Sequence, residues 1–198
     1  MGVTGTFDAK HLQNIHAFLF CDVYDWAGEF REIDISKGGT WFTAPDKISE
    51  ELDTLCFDIR DKNYFRGLLL SDAASGLTDV MCRLNQIHPF REGNGRTQRL
   101  FVEQLASNAG CDLDFSHVSE NDMRNASFAA SVQGDTRLMR YLIFSNMTET
   151  GALGPVEYVR EQPVSSEQVG LRDRFVGGIK KMRVVAVTCR IWIQRLKL

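Results

Sequence analysis

Pro89 does more than any other residue to limit what this chain can become. Upstream of it, Leu77, Val80, Met81, Leu84 and Ile87 recur at the i, i+3, i+4 spacing of a helix with one buried face. Proline has no N–H to donate, and its ring biases the preceding residue away from helical geometry. A helix over residues 71–88 must therefore stop near His88. Gly93-Asn94-Gly95 then supplies a tight turn, and a second helix begins around Asn94 or Gly95 and runs to Gly110, a natural C-cap. Two helices joined by the stretch HPFREGNGRTQR form the part of the architecture on which the rest must pack.

That stretch holds a potential base, a lone acid, a flexible turn and two fixed cations. The first turn of a helix leaves backbone N–H groups unpaired at the positive end of the helix dipole, so it binds anions. Gly93 and Gly95 let the backbone curl around a phosphate and approach it without a Cβ in the way. Arg96 and Arg99, three residues apart, share one helix face and can reach outlying phosphates. Glu92 offers a hard oxygen to Mg²⁺. His88, at the loop entrance, can accept a proton from a hydroxyl. Singly, each has an ordinary reading: a histidine as helix cap, a glycine turn, arginines on a solvated face. Together in twelve residues they suit nucleotidyl transfer, with a polyphosphate in the anion hole, Mg²⁺ neutralising the leaving group and His88 activating an incoming hydroxyl. Phe90 reads as core, anchoring the loop from beneath.

The remaining sequence frames this unit. Residues 8–20 are helical with Asp8 as N-cap, and Leu12, Ile15, His16 and Leu19 line one face. Ile33 and Ile35 alternate with polar residues, Lys37-Gly38-Gly39 makes a turn, and Trp41 and Phe42 follow, which predicts a small β-hairpin or flap. Pro45 opens a helix over about 45–62, and two more are expected over 118–130 and 135–147. The fold class is all-α, a helical bundle with one small hairpin. Residues 148–170 have linker composition. Residues 171–198 carry 8 Lys/Arg against 1 Asp/Glu, whereas residues 1–170 carry 15 against 25, so the net charge of −3 conceals a basic tail. No specific nucleic acid is expected as a partner, and membrane contact by that tail stays open.

With 43% hydrophobic residues the chain can bury a core, yet no apolar run approaches the ~20 residues of a membrane-spanning helix. The N-terminus lacks a secretory signal. MGVTGT matches a myristoylation pattern at Gly2 and Thr6, a short pattern often met by chance. The 5 cysteines are odd in number and without a CxxC pair, and read as reduced, mostly buried thiols rather than a disulfide framework or zinc site.

The stretch from His88 to Arg99 resembles the signature of Fic proteins, HPFx[D/E]GNGRxxR, and agrees with it at every specified position. The similarity extends upstream through DVYDWAGEFR to the flap, covering roughly residues 7–147. It implies a Fic-fold bundle and protein adenylylation, in which AMP moves from ATP to a Ser, Thr or Tyr hydroxyl of a target protein and pyrophosphate leaves. Carried over residue by residue, His88 is the general base and Glu92 the Mg²⁺ ligand. Gly93, Asn94 and Gly95 form the anion hole, and Arg96 and Arg99 bind the β- and γ-phosphates. Lys37 and Gly38 lie on the flap near nucleotide and target, which docks by strand addition. The related Doc proteins carry Lys where this chain has Gly95 and transfer phosphate, so Gly95 favours AMP. Fic relatives are often silenced by a helix bearing [S/T]xxxE[G/N] whose Glu meets the second arginine, here Arg99. Ser116–Glu120–Asn121 matches literally but reads as the opening of a core helix, and Ser145–Glu149 lacks the final residue. The resemblance then implies a separate small antitoxin presenting a Glu to Arg99, or other control. It places the protein in a bacterial cytoplasm or, as an effector, in a host cell. Only six residues precede Phe7, fewer than in relatives, and this raises the expectation of a truncated gene. The alternatives are a catalytically weak scaffold acting by binding and transfer of another nucleotide-derived group.

Overall fold

The structure, a computed structural model, describes residues 3–150. Helix α1 (Ala9–Phe20) starts where Asp8 accepts the His11 N–H at 2.7 Å, the cap expected there. It buries Leu12, Ile15, His16 and Phe20. The chain then loops through Trp26 and Arg31 to a hairpin of β1 (Ser36–Lys37) and β2 (Thr40–Trp41). Gly38 and Gly39 form its two-residue turn with φ of 59° and 84°, left-handed at both positions as such a tight turn demands. The paired strands are shorter than the alternation of Ile33 and Ile35 suggests. Ile33 lies outside the ladder and is 61% exposed, because its carbonyl accepts from the Arg31 guanidinium instead of a strand.

Pro45 opens a short 3₁₀ turn, Pro45–Lys47, before helix α2 (Ile48–Asp61). Three successive left-handed residues, Asn63, Tyr64 and Phe65, reverse the chain into α3 (Leu70–Ile87). Phe65 then lies against Gly76 inside α3, where a Cβ would fall 2.4 Å from the phenyl ring. Helix α4 (Asn94–Asn108) is followed by Gly110 at φ 89°, the left-handed exit expected of it. Helix α5 (Glu120–Gln133) begins at Ser119, whose hydroxyl accepts the Asp122 N–H, and Gly134 ends it at φ 66°. Helix α6 (Arg137–Ser145) completes the bundle.

Helix α3 is the central element. It packs against α2, α4, α5 and α6, while α1 packs on α4. The core is mainly aliphatic, including Leu52, Leu55, Leu77, Leu84 and Leu105, with Phe65, Phe90 and Phe101 among its aromatic members. A second sheet, not anticipated from sequence, pairs β3 (Cys111–Leu113) antiparallel with β4 (Met147–Glu149). Each strand has 3 residues, too short to display alternation, and two helices separate them. This strand carries the bundle past residue 147, and the Thr150 N–H donates to the Gly110 carbonyl at 3.2 Å. Gly2, Cys189, the rest of the expected linker and the basic tail lie outside the described residues. Among the described residues no helix is long and apolar enough to cross a membrane. Cys21, Cys56, Cys82 and Cys111 are free thiols; Cys111 is buried, Cys56 and Cys82 are half-buried and Cys21 is exposed, less burial than expected.

Candidate active site

The α3–α4 loop is shaped by its own side chains. The Asn94 amide closes it in a ring: Oδ1 accepts the Phe90 N–H at 2.9 Å and Nδ2 donates to the Phe90 carbonyl at 2.7 Å. Asn94 is buried, so this side chain is a strut, and only its backbone N–H can face a ligand. Gly93 sits at φ 80°, and a Cβ there would fall 2.5 Å from the Phe20 ring. His16 supports the loop from α1. The Gly28 N–H donates to its Nδ1 at 2.8 Å, so the proton resides on Nε2, which donates to the Glu92 carbonyl at 3.0 Å. Its ring stacks on Phe90 at 3.9 Å between centroids, which makes Phe90 the anchor expected of it.

His88 ends α3 in the left-handed conformation, φ 47° and ψ 59°. Its Nδ1 is 3.2 Å from the Asn85 carbonyl, which can only accept, so Nδ1 carries the proton and Nε2 keeps a lone pair. Phe42 of the flap stacks on the ring at 3.9 Å and 14°. Burial pushes the His88 pKa down to about 4; the Asn85 carbonyl and Glu92 oppose this, and the charges of Lys37 and Arg31 add to it. The imidazole is therefore neutral at physiological pH and ready to accept a proton.

Beyond the loop lies a cationic first turn. Glu92 is exposed, and its Oε1 accepts the Gly93 N–H at 3.0 Å, so a carboxylate sits on the first N–H of the turn that opens α4. Gly95 follows with no backbone need for glycine: its φ is not left-handed, and the first atom a Cβ would meet is Arg99 Nη1 at 4.0 Å. Arg96 is exposed with its guanidinium 4.5 Å above the Phe20 ring. Arg99 is half-buried, and Glu103 lies one turn further along α4 with burial pushing its carboxyl up to about 7. Lys37 and Gly38 are exposed on the flap, and the Lys37 charge reaches His88. Glu120, the acid of the literal inhibitory match, lies in the first turn of α5 and pairs with Arg124 at 2.5 Å. Glu149 lies in β4 opposite Cys111.

Among the described residues no three metal-ligating side chains cluster. Glu92 is an exposed carboxylate, a hard oxygen donor of the kind that holds a hard cation alongside phosphate and water oxygens.

The Fic/DOC family model matches residues 6–106. The chain belongs to the Fic/DOC family. Within it, the chain is 39% identical over 147 residues to the protein adenylyltransferase VbhT of Bartonella schoenbuchensis, covering 74% of this chain and 30% of that one. It is 35% identical over 141 residues to the Probable protein adenylyltransferase Fic of Escherichia coli K12, covering 71% and 70%. Thus it spans less than a third of VbhT. The N-terminal Fic domain of a VirB-translocated Bep effector of Bartonella quintana, with ADP bound, superposes with a TM-score of 0.73 at 31% identity over 77% of this chain and 78% of that one. BepC of Bartonella tribocorum, with AMPPNP bound, gives 0.70 at 29% identity over 75% and 78%.

Two residues of this Fic core were not singled out from sequence. His16 looked like one more position on an amphipathic helix. Arg31 closes the DWAGEFR segment, yet it is only 2% exposed. Its guanidinium donates from Nε to the His88 carbonyl at 2.9 Å, from Nη1 to Ile33 at 2.8 Å, and from Nη2 to Ile87 at 3.2 Å and to Thr43. An arginine at the end of an acidic, aromatic loop carries no periodic signal of burial; the resemblance of DVYDWAGEFR to the family element marked its position but not this role.

Proposed function

We propose that this Fic protein is an adenylyltransferase that moves AMP from ATP to a Ser, Thr or Tyr hydroxyl of a target protein. Gly95 carries the reading. A residue with ordinary helical φ, at a helix start, with open space where its Cβ would stand, is best accounted for by a ligand that needs that space. ADP and AMPPNP in the related Bep structures support a nucleotide there.

The α-phosphate is assigned to the N–H groups at Gly93–Asn94–Gly95, and Arg96 and Arg99 hold the β- and γ-phosphates. Lys37 and Gly38 on the flap border the nucleotide and the target segment. Mg²⁺, held by Glu92 with phosphate oxygens, would neutralise charge on the departing pyrophosphate. The target hydroxyl oxygen bonds to the α-phosphorus as the bond from that phosphorus to the β-bridging oxygen breaks. His88 Nε2 takes the hydroxyl proton, and Nδ1–H on the Asn85 carbonyl keeps the ring in the accepting tautomer. Residues 7–147, together with the rest of strand β4, form the catalytic domain, and 171–198 is a segment of basic composition outside it. A small protein presenting a carboxylate to Arg99 would displace the γ-phosphate and act as antitoxin. The site of action is a bacterial cytoplasm, or a host cell, as the translocated Bep relatives suggest.

The test uses ATP labelled at the α- or the γ-phosphate, with Mg²⁺ and a cell lysate. Only α-label should appear on protein, and His88→Ala should abolish it while ATP still binds. Glu92→Ala should lose activity that raised Mg²⁺ partly restores. Label from the γ-position would make the protein a Doc-like kinase, and none from either would sink the transfer reading.

A further inference from the structure

One side chain bonds to the backbone of both the flap and the base. Arg31 spends four N–H bonds on four carbonyls that belong to two groups. Ile33 and Thr43 bracket the hairpin, one before β1 and one after β2. Ile87 and His88 are the end of α3, where backbone carbonyls have lost their intrahelical partners and a cation is favoured. Its own N–H adds a fifth tie, to the Pro89 carbonyl at 2.9 Å. The carboxylate acting on it is that of Asp34, but every hydrogen bond the guanidinium makes here goes to backbone. A planar fork meeting carbonyls from several directions sets their relative position in a way that a point charge cannot.

We propose that Arg31 is the positioning residue of the site: its guanidinium fastens both ends of the flap to the backbone of His88, so that docking a target on the flap and aligning the base are one mechanical event. The consequence for turnover rests on the transfer reading above. The fastening itself does not. The ATP side is held separately, since the nest at Gly93–Gly95 is shaped by Asn94 and His16 and receives no bond from the Arg31 guanidinium. The flap has other ties to α3: Phe42 stacks on the His88 ring at 3.9 Å, Thr43 N–H donates to the Gln86 carbonyl at 3.1 Å and Gln86 Nε2 to the Trp41 carbonyl at 3.1 Å.

The full chain is compared with Arg31→Lys, which keeps the charge and loses the fork, and with Gln86→Ala, which cuts only the Trp41 tie. Calorimetric binding of a non-hydrolysable ATP analogue, amide exchange at Phe42 and Thr43, and transfer rates are read for each. Arg31→Lys should bind the analogue as wild type does and exchange Phe42 and Thr43 faster. Its kcat/KM for target should fall on the order of 100-fold, shared between KM and kcat, as a misplaced base implies. Gln86→Ala should raise target KM and leave kcat nearly intact. Unchanged flap exchange in Arg31→Lys would overturn the proposal. So would loss of analogue binding in step with flap exchange, the sign of a general structural role. So too would an equal loss of kcat in Gln86→Ala. If wild-type protein transfers nothing, the adenylylation reading fails, and the exchange and binding arms still decide the fastening.

Discussion

His88 opens the α3–α4 loop and His16 supports it from α1, and the two rings are in opposite tautomers, each set by the backbone group on Nδ1. For His88 this fixes a pH profile. With its pKa pushed down to about 4, the acid limb of kcat/KM should fall well below the ordinary histidine value of 6.5, since that parameter reports the free enzyme. The limb of kcat should lie higher, because a bound triphosphate favours the imidazolium. Steady-state rates from pH 4 upward check both, and a kcat/KM limb at 6.5 would refute the buried, neutral base. The two loop glycines separate as cleanly. Gly93→Ala must accept φ 80° and a Phe20 ring 2.5 Å away, and should lose about 2–4 kcal/mol of stability along with ATP binding. Gly95→Ala meets only Arg99 Nη1 at 4.0 Å, so melting should hold or rise. Its ATP affinity should nevertheless fall roughly tenfold, as about 1.4 kcal/mol of lost phosphate contact implies. Thermal melts and analogue titrations of the pair distinguish a glycine kept for the fold from one kept for the ligand.

Among the elements, α3 offers the sharpest energetic test. Gly→Ala inside a helix usually gains up to ~1 kcal/mol from propensity. At Gly76 the new methyl would lie 2.4 Å from the Phe65 ring, and overpacking of this kind costs about 1–3 kcal/mol, so the clash should win and the melting temperature should drop. A rise would mean that the left-handed turn at 63–65 shifts aside freely. The helices were legible because buried faces recur every three or four residues and because Asp8, Pro45 and Gly110 punctuate their ends. The loop chemistry was legible because it is contiguous. What escaped notice was built from distant pieces. The β3–β4 pair joins three-residue segments across two helices, and Arg31 and His16 act through backbone carbonyls, which leave no trace in side-chain pattern. Ile33 shows the converse: its alternation with Ile35 is real, but a guanidinium took the carbonyl a longer ladder would have used.

For the molecule as a whole, stability should rise from pH 4 toward neutrality. His11, His16 and His88 all have folded pKa values lowered from 6.5, chiefly by burial. Below 6.5 the unfolded chain binds protons that the folded one refuses, so stability is lost as pH falls toward 4. His16 makes this loss local as well: a proton on Nδ1 would confront the Gly28 N–H. Glu103 opposes this over an overlapping window. Its carboxyl is raised from 4.5 to about 7, so the stability its protonation gives is complete below 4.5, declines as pH rises and is gone above 7. Denaturant midpoints across pH 4–9 should rise between 4 and 6.5, and Glu103→Gln should steepen that rise. The β3–β4 pair bears on how such a molecule is made. A chain leaving the ribosome has the flap, α3 and α4 in hand by residue 108, yet β3 then presents an unpaired edge with Cys111 and Leu113 beside the core. That edge closes only when Met147–Glu149 emerge. A nascent chain halted between the two strands is therefore open and sticky along one seam, and chaperones and proteases have a marker for unfinished copies until the seam is shut.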